Sequence, residues 1–271
     1  MKEETLTLGV RKIFVRSWEV EDPKANIFIA HGLGEHSGRY AHFAEHFNQL
    51  GYNVYAHDHQ GHGKSSGKQG HIDSFAQYSD DLKTVVENNS AEKRPNHLLG
   101  HSLGGVIASG FLIRNPGTID RCIISAPGFE KKIAPNPIKA FIGKLLANIT
   151  PQLTLWNEIE AEWICRSETI VSDYQKDPLV HDRVSAKFFT SFLAERVLIE
   201  KNADSIKLPT LMILPGADLI INHQVSKELF ALFSNEENRL VEFPDCYHEI
   251  LNEEIEKFEA YTEIENWLAL K

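Results

Sequence analysis

Apolar and polar positions follow two periods along this chain. Residues 6–9 and 12–18 alternate with a period of two, the pattern of a β-hairpin, whereas 26–30 and 52–56 are compact apolar runs suited to strands buried on both faces. The first of these runs ends at His31-Gly32. Helical spacing follows over 39–50, where Gly51 stops it, then over 75–87 and 103–114, with strands over 97–99 and 121–125. Strands alternating with helices of about a dozen residues predict an α/β fold with a doubly wound, mostly parallel sheet.

The rhythm breaks between Pro127 and about Ile206. Ile138, Phe141, Ile142, Leu145, Leu146 and Ile149 recur at helical spacing with no strand between them, and 157–166 and 184–198 read as further helices. The sheet pattern returns with a strand over 209–214, a helix over 223–233, a strand over 240–243 and a last helix over 252–270. The expected organisation is a core formed by 1–126 and 207–271, interrupted by a helical cap over 127–206. A chain of 271 residues supports one substantial core with an insertion more readily than two equal domains.

Composition narrows the function classes. The 42% apolar, 10% aromatic and 24% charged fractions are those of a globular chain. A formal net charge of −10 opposes nucleic-acid binding, which depends on Lys and Arg, and opposes adhesion to anionic lipid by charge. Any membrane contact is then a transient hydrophobic one, made through the cap. Cys122, Cys165 and Cys246 are an odd number at wide spacings and read as free thiols. The acidic start Met1-Lys2-Glu3-Glu4-Thr5 lacks the apolar core of a signal peptide, and no apolar run approaches the ~20 residues that span a bilayer, so a cytoplasmic protein is expected.

The chemistry centres on Gly100-His101-Ser102-Leu103-Gly104, entered from an apolar strand and left into a helix. A nucleophile elbow needs small residues around its serine because the turn is tight, and it uses the helix N-terminus beneath it. A second match, Gly63-Lys64-Ser65-Ser66-Gly67, follows a polar run instead of a strand and reads as a surface loop. A serine hydroxyl needs a base, and the base needs an orienting acid. Asp218, just after the strand at 209–214, and His248, just after the last strand, come in the order this fold class uses. Asp204 precedes its strand and Asp245 lies too close to His248 to approach it from a neighbouring strand end. The oxyanion of acyl transfer needs two backbone N–H donors, expected from Leu103 and from Leu33 in the turn His31-Gly32-Leu33-Gly34. His57, Asp58, His59 and His62 hold metal-ligand chemistry, but neighbouring strand residues point to opposite faces, so no metal is expected.

Three segments carry a family likeness: His31-Gly32-Leu33-Gly34-Glu35-His36-Ser37-Gly38-Arg39-Tyr40, then Ala56-His57-Asp58-His59-Gln60-Gly61-His62-Gly63-Lys64-Ser65, then the elbow up to Gly105. With Tyr174 and Asp177-Pro178-Leu179, they make the chain resemble the monoacylglycerol lipase and lysophospholipase group of α/β-hydrolases. That resemblance implies a serine hydrolase of single-chain lipid esters with no cofactor, an oxyanion donor at Leu33, and substrate-side groups at Glu35, Arg39 and Tyr174. Only Ala217 separates Gly216 from Asp218, where the family commonly has two residues. Alternative readings are a lysophospholipase, a general carboxylesterase, a serine peptidase of the proline iminopeptidase kind, and a noncatalytic binding protein on the same fold.

Overall fold

A computed structural model describes residues 1–90, 94–132 and 145–270. The strands in chain order are β1 (Lys2–Leu8), β2 (Arg11–Trp18), β3 (Ala25–Ala30), β4 (Tyr52–His57), β5 (Asn96–His101), β6 (Arg121–Ser125), β7 (Thr154–Trp156), β8 (Arg183–Ser185), β9 (Thr210–Pro215) and β10 (Arg239–Phe243). Eight of them form one sheet in the order β1-β2-β4-β3-β5-β6-β9-β10. Only the β1–β2 and β2–β4 pairings in that sheet are antiparallel. β3, β4 and β9 are buried at every position, including the polar Asn26, Asn53, His57 and Thr210 within their mainly apolar runs, whereas the edge strand β1 alternates.

Residues of β3 feed two cores on opposite faces. Phe28 joins Leu98, Ile124 and Met212 under helices α2 (Phe75–Asn89) and α3 (Leu103–Arg114). Ile27 and Ile29 join Leu99, Ile123 and Leu211 under α1 (Ala41–Gln49) and the C-terminal helix α7 (Glu256–Ala269). The helices between are α4 (Glu168–Lys176), α5 (Ala186–Asn202) and α6 (His223–Phe230). The three cysteines are buried and unpaired.

The strand order reverses around β3, with β4 on one side and β5 on the other. The loops leaving β3 and β5 therefore open a crevice at the carboxyl edge, the place where open α/β sheets bind ligands.

After β6 the chain leaves the large sheet and rejoins it at β9. Here the sequence expectations need correction. Residues 157–166 form no α-helix and hold only a 3₁₀ turn at Ala161–Trp163. A strand pair, β7 with β8, interrupts what read as a purely helical stretch. Three-residue strands are too short to display a period, and α4 begins with β-branched residues that weaken its helical signal. Of the apolar helical repeat, Ile138, Phe141 and Ile142 lie outside the described residues. Leu145, Leu146 and Ile149 fall in a helical stretch over 145–149, with Leu145 and Ile149 exposed. Among the described residues no helix is long and apolar enough to cross a membrane.

Backbone packs closely against backbone at the N-terminus of α3. A Cβ placed on Gly104 would overlap the backbone oxygen of Ala30, and one on Gly100 would overlap that of Gly104. A backbone oxygen in a central strand cannot rotate away. Gly104→Ala is therefore expected to destabilise the fold by ~3 kcal/mol, the upper end of overpacking costs, or roughly 6–12 °C in Tm for a chain of this size. Gly117, whose Cβ position is open space, is the control: Gly117→Ala bears only the strain of its positive φ. Equal melting temperatures for the two variants in a thermal scan would show that α3 does not depend on this contact.

Candidate active site

Ser102 caps α3 with φ 52° and ψ −115°, a backbone conformation that side chains other than glycine rarely adopt. The surrounding sheet holds it there. Ser102 N–H donates to the Ser125 carbonyl at the end of β6 (3.0 Å), and Ser102 C=O accepts from Gly128 N–H (2.9 Å) and Gly105 N–H (2.9 Å). The turn presses Oγ out of the crevice floor, and its neighbours must be small for the reason given by Gly100 and Gly104.

His248 Nε2 lies 2.8 Å from Ser102 Oγ, and its Nδ1 lies 2.8 Å from Asp218 Oδ2. The other Asp218 oxygen accepts from Ile220 N–H (2.7 Å) and Ile221 N–H (3.0 Å). All three residues predicted from chain order meet in one line. The short Gly216-Ala217-Asp218 turn reaches because it is stitched to the loop carrying the histidine, through Gly216 N–H to Phe243 C=O (2.8 Å) and Ala217 N–H to Cys246 C=O (3.1 Å). Burial pushes the Asp218 carboxyl up, but the His248 ring and two backbone donors outweigh it and hold the pKa below its usual value. Burial likewise works to lower the His248 pKa, yet the adjacent Asp218 carboxylate raises it above that of an ordinary imidazole. His101, beside His248 at 5.0 Å between ring centroids, has no such partner and is pushed down to about 4 by burial and then by His248.

Gly32 stands against the elbow: its Cβ position is 3.4 Å from Ser102 Cβ. That brings the Leu33 turn beside Ser102, and Leu103 N–H is the first, unpaired amide of α3. Neither amide donates to a partner among the described residues.

Glu35, Arg39 and Tyr174 form a buried charge cluster instead of a free polar surface. Glu35 accepts from Gly32 N–H (2.5 Å), Tyr40 Oη (2.8 Å) and Arg39 Nη1 (2.8 Å). Arg39 makes a two-pronged bridge to Glu249 (2.6 and 2.7 Å), and its guanidinium lies 4.8 Å from the centre of the Tyr174 ring. A surface pocket walled by Arg39, His42, Tyr174, Asp177 and Asn252 adjoins the cluster and does not reach Ser102. Sequence reasoning missed Glu249, although its place directly after His248 marked it.

The segment between β6 and β9 grips the same loop. His181 N–H donates to Gly34 C=O (2.8 Å), and His36 Nε2 pairs with Asp177 Oδ2 (2.8 Å).

The second serine motif is structural. Ser65 Oγ accepts from Phe14 N–H (2.8 Å) and donates to Asp58 C=O (2.5 Å). The histidine cluster is less scattered than alternation suggests. Asp58 does turn away, onto Arg16, Ser37 and Lys64, but the rings of His57 and His59 lie within hydrogen-bond distance of each other, and His59 in turn meets His31. Among the described residues no three or more metal-binding side chains converge on one point.

Known proteins resemble this chain in sequence and in fold. A monoacylglycerol lipase of Mycolicibacterium smegmatis is 29% identical over 263 residues, covering 96% of this chain and 93% of its own. A monoglyceride lipase homolog of monkeypox virus is 33% identical over 261 residues, covering 94% of each. The crystal structure of a Paleococcus ferrophilus monoacylglycerol lipase superimposes with a TM-score of 0.87 at 33% identity, covering 94% of this chain and 98% of that one. The family described as serine aminopeptidase, S33 matches residues 21–255. With that match running from β3 through the elbow to the histidine loop, the chain belongs to the serine aminopeptidase S33 family and carries the α/β-hydrolase fold.

Proposed function

We propose that the protein hydrolyses monoacylglycerols or similar single-chain lipid esters through an acyl-enzyme on Ser102. The observation that carries this is the unbroken line from Ser102 Oγ through His248 to Asp218, at 2.8 Å for each contact, on a strained strand-to-helix turn. Ser102 Oγ attacks the ester carbonyl while His248 Nε2 takes its proton. The same nitrogen then gives the proton to the departing alcohol, and water repeats the sequence to release the fatty acid. Asp218 holds the ring with Nδ1–H toward itself, leaving Nε2 free to act as base. Leu33 N–H and Leu103 N–H receive the oxyanion. Glu35 and Arg39 act mainly by fixing the loop that carries Leu33, and Tyr174 closes over them from the inserted segment.

Monoacylglycerol lipases among the relatives support the choice of substrate over a peptide amide. Residues 127–206 serve in this reading as a cap over the crevice, their apolar side receiving the acyl chain. Leu153, Leu155 and Trp156, exposed by 43%, 53% and 47%, support a transient hydrophobic contact of a cytoplasmic protein with a membrane that holds its substrate.

The decisive experiment compares Ser102→Ala with Ser65→Ala. The first is expected to lose fluorophosphonate labelling and several orders of magnitude of ester hydrolysis, and the second to keep most of both. Labelling that survives in Ser102→Ala overturns the assignment. For substrate, kcat/KM should rise along a series of monoacylglycerols, since each methylene buried contributes up to ~0.8 kcal/mol and a few carbons amount to tens of fold. A preference for acetyl esters or dipeptide amides excludes the lipid reading while leaving the serine mechanism intact.

The pH profile follows from His248. A base works only when neutral, and a raised pKa keeps the ring protonated to higher pH. The acid limb of kcat/KM on a neutral ester is therefore expected to have its midpoint above the ~6.5 of an unperturbed imidazole. A profile flat down to pH ~4 removes histidine from the role of base.

A further inference from the structure

Three buried histidines that do not touch Ser102 form a directional chain, in which backbone groups set the direction at His31 and His59 and the His57 link follows from that of His59. His31 Nε2 lies 2.9 Å from the backbone N–H of His59, a group that can only donate, so Nε2 carries no proton. The ring of a neutral His31 then has its proton on Nδ1, which donates to the Gly32 carbonyl at 2.8 Å. His59 Nε2 faces the His31 carbonyl at 3.0 Å, a group that can only accept, so Nε2 is protonated and His59 Nδ1 is the acceptor. The partner of that acceptor is His57 Nε2 at 3.1 Å, which must supply the hydrogen. The proton order is thus His57 to His59, His59 to the His31 backbone and back to its ring, and the His31 ring to Gly32 C=O.

The end point matters because a trans peptide group is planar, with its N–H pointing opposite to its C=O. The peptide whose carbonyl His31 holds is the one whose N–H belongs to Leu33. Gly32 N–H is at the same time fixed on Glu35 Oε1 (2.5 Å), so both faces of the turn are pinned. We propose that His57 and His59 are positioning residues: the hydrogen bonds from His57 to the His59 ring and from the His59 ring to the His31 carbonyl hold the His59 backbone N–H on His31 Nε2, which fixes the His31 tautomer and thereby the aim of the Leu33 N–H at the developing oxyanion. This rests on the reading of Leu33 as an oxyanion donor. The rings stay neutral because burial, and then their mutual proximity, works against protonation; His57 is pushed down to about 4 by burial despite the neighbouring Asp58. Other groups facing the chain are His62, at 5.4 Å from His31 and 6.1 Å from His59, and Tyr78, at 5.3 Å from His59, with His181 beyond His62 at 4.7 Å.

The test is a pair of variants that differ in a single N–H donor. His57→Gln can still donate to His59 Nδ1, whereas His57→Leu fills similar space and cannot. With an aryl ester, His57→Leu is expected to lose ~10-fold or more in kcat, a fraction of the 10²–10³ that deleting an oxyanion donor costs, with KM within about twofold. His57→Gln should recover most of that loss. In the acyl-enzyme formed from a slowly hydrolysed ester labelled with ¹³C at its carbonyl, the infrared carbonyl band should move to higher wavenumber in His57→Leu and stay in place in His57→Gln. Equal kcat for the two variants, a loss expressed in KM, or an unmoved band overturns the proposal. Nitrogen-15 spectra of the unmodified protein provide a check that needs no variant: His31 is expected as the Nδ1–H tautomer and His57 and His59 as Nε2–H, and a reversed His31 overturns the chain. If the unmodified protein forms no acyl-enzyme on Ser102, the serine-hydrolase reading itself fails. A normal acyl-enzyme with no response to His57→Leu removes only the positioning role.

Discussion

The positive φ of Ser102 is the constraint on which the crevice depends. Strain of that kind costs on the order of 1–3 kcal/mol and persists only where the surroundings over-determine it. Here they do so from three sides: β6 holds the serine amide, Gly128 and Gly105 hold its carbonyl, and the Gly104 backbone is wedged against Ala30 at the end of β3. The last contact sets how near α3 comes to the loop after β3. The distance between Ser102 and the Leu33 turn is therefore set by backbone packing between a helix and a strand, and side chains only refine it.

The second organising element is the buried cluster of Glu35, Arg39 and Glu249, with side-chain exposures of 4%, 10% and 6%. Charges taken out of water cost several kcal/mol each, and removing one member of such a set strands the others at roughly 3–5 kcal/mol. The cluster spans the loop after β3 and the residue next to His248, so it ties the turn beside the elbow to the loop of the base. Its Arg–carboxylate fork supplies direction as well as attraction, which suits parts that must keep a fixed mutual geometry. Stability and catalytic alignment share the same bonds.

Much of this was legible in the sequence where the cause is local. Gly100 flanks the serine because of contacts within a few residues of it, Gly104 completes a motif that is itself local in sequence although its close contact is with Ala30, and the order of serine, acid and base follows from which strands end at the crevice. What stayed hidden was non-local or short. Arg39 and Glu249 are 210 residues apart, and although its place beside His248 marked Glu249 as near the site, nothing in sequence pairs it with Arg39. The histidines at 57, 59 and 62 drew notice as a possible metal set, but the ring that gives the group its meaning, His31, lies 28 residues away from His59. In the segment between β6 and β9 the strand pair of three residues each, and a helix opening with Thr169-Ile170-Val171, fell below what periodicity can resolve.

The histidines also show how one residue type is divided between two tasks by its neighbours alone. His248, His31, His57, His59 and His101 are all buried, and burial pushes every one of them toward the neutral form. Only at His248 does a carboxylate hydrogen-bonded to the ring reverse the outcome, so that ring can accept a proton at a modest cost and return it. His31, His57 and His59 have carbonyls, amides or imidazoles as partners, which fix a tautomer without favouring the charged form, and His101 has only the Ser125 hydroxyl among the described residues. In the proposed reaction, as Ser102 gives up its proton the rings around the turn have no tendency to compete for it, and the proton has one destination. A site that must move a proton repeatedly beside rings that must not move theirs is consistent with this division: one carboxylate for the working histidine, and backbone groups for those that hold the frame.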